Sequence, residues 1–511
     1  MMIKTIKALY TIKLFTFKGI WHLLMSFGSV GMNLMVLFYI RQKLSPNQIA
    51  INENDNCITY HILYTQSQHL AKKLAMYCDI KPHQKIAIMA SNHTIMIHTL
   101  FAIAQLGADI YLLNKELSVN QLQNIQDAVK FDWIIHDPQI STLTDVKSLP
   151  TDHPKQVSIY SLLNDDSLPN SSNLKVTHFN KLTVLTSGTT GRFKMAGRNS
   201  KAQNFISPFY QLLMKLNLSK YNKVYITTPI YHGFGIATLC MSVLLGATIF
   251  INKRFDAVKV CQLINKYNIE VITLVPLMLS RMMNYSTTQL CSLRCIITGG
   301  APIAVTLVQR TINQLGEVLF NLYGTSEAGI CMIATPNDLI NHPSTIGKPI
   351  TGLSTKLMNH GKEDAIKGEL YIKCAWSTQG KNWIATGDIA QKDSENNYYL
   401  NGRIDDMIVS GGENVYPFEI EQFLINHPDI NNLAVISVND EEFGQRLVAF
   451  VVLAAHAEQS EDTLKDWLKP QIARYQMPKK IYIIDELPMT DIGKVDRKQL
   501  INLYCIDNQS H

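Results

Sequence analysis

The sequence predicts an α/β protein, a large body built on mostly parallel sheets followed by a small α+β domain. Two observations carry this prediction. From residue 85 to residue 300, short apolar runs alternate with helical patterns, as strand–helix–strand units require. Beyond Gly402 the alternation gives way to an acidic turn, a Gly-Gly loop, an amphipathic helix and long strands, and roughly 100 residues of this kind suffice for a separate domain. A chain of 511 residues can bury cores for about two to four domains. The expected division is 1–45, a basic apolar segment; 46–402, the large body; and 403–511, the small domain.

The first segment is distinguished by its charge. Residues 1–52 hold Lys4, Lys7, Lys13, Lys18, Arg41 and Lys43 and no acid, so the whole formal net charge of +6 resides there. The remainder has basic and acidic residues in equal number, which excludes a basic nucleic-acid-binding body. Between Lys18 and Arg41 runs "GIWHLLMSFGSVGMNLMVLFYI", without a formal charge. As one helix it would reach about 33 Å, long enough for a membrane span. At about 100° per residue, however, Lys4, Lys7, Thr11, Lys18, His22, Ser26, Ser29 and Asn33 fall in one arc of roughly 100°. Such a stripe fits a helix lying in a lipid interface or docked on the body better than one surrounded by lipid. No small-residue cleavage site follows, against a signal peptide. The expected location is cytoplasmic, peripheral on the inner face of a membrane if the segment meets lipid.

Along the body, "KIAIMA" (85–90) reads as a strand, 92–106 as a helix, "ADIYLL" (108–113) as a strand, "SVNQLQNIQDAV" as a helix started by Ser118, and "WII" (133–135) as a strand. "KVYITTP" (223–229), "ATIFI" (247–251), "EVITLVP" (270–276) and "CIITGG" (295–300) continue the series. Residues 137–181 are polar and weakly periodic, a surface connection. In the small domain a helix is expected from Pro417, strands at 432–438 and 447–453, and a helix at 460–473. Nine cysteines, an odd number with no CxxC pair, point to free thiols in a reducing compartment and to no zinc site.

The stretch "TSGTTGRFK" (186–194) follows an apolar run. Gly188 and Gly191 let the backbone turn its amides toward an anion, Thr186, Ser187, Thr189 and Thr190 add donors, and Lys194 adds a mobile positive charge. Phosphate is one reading; an ordinary surface turn rich in Ser, Thr and Gly is the other.

Four further motifs agree with it in order and spacing: "YGTSEAG" (323–329), "TGD" (386–388), "GRIDDMIVSGGENVYPFEIE" (402–421) and "LPMTDIGKVDR" (487–497). With these the chain resembles, over residues 46–505, the adenylate-forming (AMP-binding) superfamily of acyl-CoA synthetases, luciferases and peptide-synthetase adenylation domains. Passages such as "LGADIYLLNKELSVNQL" and "EEFGQRLVAFVV", and the basic apolar extension, are most similar to fatty-acyl-CoA synthetases. The resemblance implies ATP, Mg²⁺ and CoA as cofactors and co-substrates, and two half-reactions. A carboxylate attacks the α-phosphorus of ATP and pyrophosphate leaves; a thiol then attacks the acyl carbon and AMP leaves.

The resemblance also assigns residues. The glycine-rich loop with Lys194 holds the β- and γ-phosphates; Phe193 and Met195 stand where the family usually has proline and glycine. Glu327 is the Mg²⁺ ligand, a hard oxygen donor for a hard cation. Tyr323 and Gly299–Pro302, thus Gly300, Ala301 and Pro302, form the adenine pocket. Gly324, Thr325 and Ser326 follow it, Ser326 in place of a common threonine that meets the α-phosphate. Asp388 accepts the ribose hydroxyls, and Arg403 contacts ribose and phosphate. Asp405 is the hinge about which a mobile small domain rotates. Lys494 enters the site for adenylation and is then exchanged for Gly411 and Gly412 beside the thiol tunnel.

For the acid, "TPIYHGFGIATL" has Tyr231, His232, Gly233 and Phe234 where peptide-synthetase domains usually carry an aspartate. A buried ammonium would lack its partner, which disfavours amino acids. His232 and Phe234 are expected pocket walls. With Ile236, Leu239 and "LVPLMLSRMM" (274–283) they suit an aliphatic tail, so a medium- or long-chain fatty acid joined to CoA is the leading expectation. The alternatives are transfer to the phosphopantetheine of an acyl carrier protein, an aryl-CoA ligase, and a non-catalytic interaction protein that keeps the fold. Joint presence of Lys194, Glu327, Asp388, Arg403 and Lys494 argues against the last.

Overall fold

The computed structural model describes residues 10, 12–14, 16–165, 174, 181–187, 193–197, 202–359, 361–364, 366–410, 413–440, 442–454, 457–490 and 494–509. Two sheets form the body. One has six strands in the spatial order Lys147–Pro150, Trp133–His136, Lys85–Met89, Asp109–Leu112, Leu182–Ser187, Phe193–Gly197, all parallel except the last pair. The other has nine strands, and its centre is the parallel set Leu319–Thr325, Cys295–Gly299, Val271–Leu274, Lys223–Ile226, Thr248–Ile251 and Ile49–Glu53. The apolar runs of the sequence are these strands, because a strand buried on both faces has no polar alternation to display.

The helices begin where their caps allow. Ser118 caps Val119–Val129 in a capping box with Gln121, as the sequence suggests. His93, less usual in this role, accepts the Met96 amide at the start of Thr94–Leu106. The connection 137–181 is more structured than its polarity suggested. It contributes the edge strand Lys147–Pro150 and the short helix Ile159–Asn164, too short for periodicity to be read.

Two antiparallel sheets complete the architecture. Ser354–Asn359, Lys362–Asp364, Lys367–Lys373, Ile384–Lys392 and Tyr398–Arg403 make a five-stranded sheet that the mostly parallel expectation did not include. The terminal sheet pairs Ile430–Asp440 with Gly444–Leu453, longer than the strands read from sequence, and Glu461–Leu468 is shorter than the helix expected at 460–473. Pro417 opens its helix as expected.

The N-terminal segment is not one long helix. Phe17–Ser29 and Met35–Leu44 are separate, divided at Gly31, whose φ of 84° no helix continues, and Asn33, two residues before the second, accepts the Met35 amide. Among the described residues no helix is long and apolar enough to cross a membrane. Met35–Leu44 is docked on the body. Its Phe38 ring stacks on Phe101 with centroids 3.6 Å apart. Its Arg41 is buried and donates to the carbonyls of Val243 (3.1 Å) and Leu244, at the end of helix Gly233–Leu245. Burial lowers the Arg41 pKa to about 10, still charged at neutral pH. Gly246 closes that helix at φ 72°, and a Cβ there would stand 2.9 Å from the Arg41 guanidinium.

Arg41→Ala should therefore cost about 3 kcal/mol in urea unfolding, because it orphans two buried carbonyls and opens a cavity. A loss below about 0.5 kcal/mol would show that the segment does not depend on this anchor.

Candidate active site

The expected nucleotide residues lie at the carboxyl ends of parallel strands, where open α/β sheets bind ligands. Gly300, Ala301 and Pro302 follow strand Cys295–Gly299, and Tyr323, Gly324 and Thr325 end strand Leu319–Thr325. Ser326 and Glu327 come next, both half-buried, and the Thr325 hydroxyl accepts the Ala328 amide to hold this turn. The Glu327 carbonyl accepts the Thr378 amide at 2.8 Å, tying the turn to the residues beyond strand Lys367–Lys373.

Asp388 brings distant segments to one point. Its Oδ2 accepts the Tyr323 hydroxyl at 2.5 Å and its Oδ1 accepts Arg403 Nη1 at 3.0 Å. Arg403 Nη2 donates at 3.0 Å to Asp405 in the turn Ile404–Asp406. Asp388 and Arg403 are directly opposed on neighbouring strands. Gly387 makes the fork possible: its φ is 74°, and a Cβ there would lie 2.8 Å from Arg403 Nη2. Burial raises the Asp388 pKa, against the pull of Tyr323, Arg403 and Lys494. Tyr323 is raised well above its ordinary value by burial and by the carboxylate beside it.

Lys494 reaches this same point from the far end of the chain. Its turn is closed by the Thr490 amide donating to the Lys494 carbonyl at 2.7 Å. The side chain keeps solvent-exposed surface, yet the protein crowded round it lowers its pKa, desolvation first and Arg403 next, with Asp388 opposing. His232 also feels Lys494. Burial, then that charge, lowers its pKa to about 4 and keeps the imidazole neutral. His232 caps helix Gly233–Leu245, its ring lies 4.8 Å from that of Tyr231, and its buried Nε2 has no hydrogen-bond partner among the described residues. Phe234, two residues along, is half-buried against the main core.

The glycine-rich loop is described in part. Strands Leu182–Ser187 and Phe193–Gly197 are antiparallel, with Thr186 opposite Lys194 and Ser187 opposite Phe193. Gly188, Thr189, Thr190 and Gly191 lie outside the described residues, as do Gly411 and Gly412. Among the described residues no three His, Cys, Asp or Glu side chains gather as a metal site. A single carboxylate, Glu327, fits Mg²⁺ that arrives on substrate phosphates and keeps waters, not a resident ion in a protein cage.

Sequence reading missed Asn92. Its side-chain amide donates to the Thr228 carbonyl (2.9 Å) and accepts the Ile230 amide (2.8 Å), fixing the segment that leads into His232. Next to it His93 and Asp137 are paired at 2.7 Å in the interior. Burial pushes Asp137 up, but hydrogen bonds from His93 and Ser91 outweigh it and leave the carboxyl well below the usual range. The available signal was position: Ser91, Asn92 and His93 are polar residues directly after a buried parallel strand.

Known proteins are similar to this chain in sequence and fold. The AMP-binding enzyme profile matches residues 38–380, and the profile for the AMP-binding enzyme C-terminal domain matches residues 419–494. The chain belongs to the AMP-binding enzyme family. It is an AMP-forming acid–thiol ligase. Among its relatives, a 2-succinylbenzoate–CoA ligase of Bacillus subtilis is 27% identical over 90% of this chain and 96% of its own. One from Staphylococcus aureus is 27% identical over 90% and 98%. The solved o-succinylbenzoate CoA synthetase of Bacillus subtilis with its acyl-adenylate intermediate superposes with a TM-score of 0.78 at 25% identity, covering 91% of this chain and 97% of that one. These relatives are, by name, succinylbenzoate–CoA ligases, where the sequence motifs suggested fatty-acyl-CoA synthetases.

A neutral His232 makes stability fall on the acid side. Its folded pKa of about 4 lies below the ordinary 6.5, so the unfolded chain binds the extra proton, and stability is lost as pH drops from 6.5 toward 4. The loss should reach about 2 kcal/mol by about pH 5. Unfolding in urea at both pH values should show a correspondingly smaller pH dependence in His232→Gln; an unchanged dependence would contradict the buried neutral state.

Proposed function

We propose that this ligase activates an aromatic carboxylic acid of the succinylbenzoate kind and transfers it to CoA. ATP with Mg²⁺ is the activating substrate. Glu327 would hold Mg²⁺ carried on the phosphates, and the cation would supply charge neutralisation there. The loop 186–194, with Lys194, grips the β- and γ-phosphates. Asp388 takes the ribose hydroxyls on lone pairs left free by Tyr323 and Arg403. Lys494 stands between carboxylate and α-phosphate, where negative charge develops in the first half-reaction. The small domain, residues 403–511, then turns about Asp405 and brings Gly411 and Gly412 to the thiol path.

The observation that carries the choice of acid is the buried Nε2 of His232, without a hydrogen-bond partner among the described residues, at the start of helix Gly233–Leu245. A purely aliphatic tail would leave that polar atom unsatisfied, at a cost of about 1–3 kcal/mol. An acid with a second oxygen function satisfies it, and Phe234 offers an aromatic neighbour for a ring. The curated relatives over nine-tenths of the chain act, by name, on such an acid.

The test is a panel of acids with ATP, Mg²⁺ and CoA. The kcat/KM for 2-succinylbenzoate should exceed those for octanoate and palmitate by at least about tenfold. Preference for either fatty acid would overturn the aromatic assignment. With the preferred acid, CoA should outperform holo acyl carrier protein; the reverse would make the enzyme an acyl-AMP ligase serving a carrier.

A further inference from the structure

Helix Phe17–Ser29 has its sidedness reversed. In a helix docked on a protein core the apolar residues face inward and the polar ones outward. Here the buried positions are Gly19 and Ser26. Phe17, Trp21 and Leu24 are 88%, 52% and 60% exposed, and Ile20, Leu23, Met25 and Phe27 are exposed beside them. At about 100° per residue these seven span roughly 200° of the helix surface, centred opposite Gly19 and Ser26. The arrangement is held in place from below. Thr16 caps the helix by accepting the Gly19 amide at 3.0 Å, and Gly19 packs so tightly that a Cβ would stand 2.1 Å from the Lys13 carbonyl. The next helix, Met35–Leu44, is itself anchored through Arg41.

Cations border this face. Lys13, Lys18 and Lys43 are exposed, and the first acid in the chain is Glu53. Lys18 borders the apolar face at the Met25 edge of the helix, and Lys43 of the next helix lies near enough to His22 to lower its pKa, after burial and Lys18. A second copy of this chain placed on the face by a two-fold axis would bring these lysines against their equivalents, with no acid on the segment to separate them. An anionic surface with an apolar interior matches both features.

We propose that the exposed face of helix Phe17–Ser29 inserts into the interface of an anionic lipid membrane, with Phe17, Trp21 and Leu24 among the acyl chains and Lys13, Lys18 and Lys43 at the head groups. The helix lies in the membrane plane and does not cross it. This attachment is independent of the acid that the enzyme uses, and it leaves the adenylation residues, all beyond position 180, in water.

The experiment is co-sedimentation of the full chain with vesicles of phosphatidylcholine alone or mixed with phosphatidylglycerol. The protein should pellet with the mixed vesicles, at least about tenfold more weakly with phosphatidylcholine alone, and binding should fall with added salt. The triple variant F17S/W21S/L24S should lose at least about tenfold in binding yet keep its ATP–pyrophosphate exchange. K13Q/K18Q/K43Q should lose the preference for phosphatidylglycerol. Brominated lipids should quench the fluorescence of the wild type more than that of Trp21→Phe, which places Trp21 among the chains. A wild type that stays in the supernatant with both vesicles, or a serine variant that pellets as the wild type does, overturns the proposal. So does a wild-type dimer that the serine variant converts to monomer without any lipid binding, which would assign the face to a second copy.

Discussion

The carboxylate of Asp388 is the point through which the rest of the site is connected. One oxygen takes the hydroxyl of Tyr323 from the nine-stranded sheet, the other takes the guanidinium of Arg403, and Arg403 passes the contact on to Asp405. Tyr323, from another sheet, and Arg403, from the neighbouring strand, thus meet at one carboxylate. Neither could move independently without leaving a half-buried charge or hydroxyl short of a partner, and in a site of low dielectric such a loss is expensive. Gly387 is part of the same constraint, since only a residue without a side chain lets Arg403 pass at that distance.

The charges round this carboxylate oppose one another. Burial raises Asp388 while Tyr323, Arg403 and Lys494 pull it down, and desolvation lowers Lys494. The Lys494 carbonyl accepts the Thr490 amide of the terminal domain. His232, kept neutral by burial and by that lysine, offers a hydrogen-bonding group without adding a third cation. A protonated imidazole at that place would repel Lys494.

The parallel strands were legible because burial on both faces leaves an unbroken apolar run, and the segments 85–90, 108–113 and 295–300 each became one. The five-stranded antiparallel sheet was not, because its strands mix charged and apolar residues, as in "KGELYIK", and its face alternation is interrupted by irregular pairing. The family was legible through short motifs, and the structure brings Tyr323, Asp388 and Arg403 of those motifs together. Asn92 was not: it works by holding backbone at Thr228 and Ile230, a contact between segments that leaves no local spacing to read. The polar stripe of the N-terminal segment was visible in the sequence, but which way it faces depends on what packs beneath it. Gly19 turns inward because a residue without a side chain fits against the carbonyls of Lys13 and Leu14.

That Lys494 serves one half-reaction, from a position shared with Asp388, Arg403 and His232, is the central claim. It is tested most directly by measuring the two half-reactions separately in Lys494→Ala. Acid-dependent ATP–pyrophosphate exchange should fall by at least about a hundredfold, while thioester formation from supplied acyl-adenylate and CoA should stay within a few-fold of the wild type. Equal loss in both steps would contradict the account.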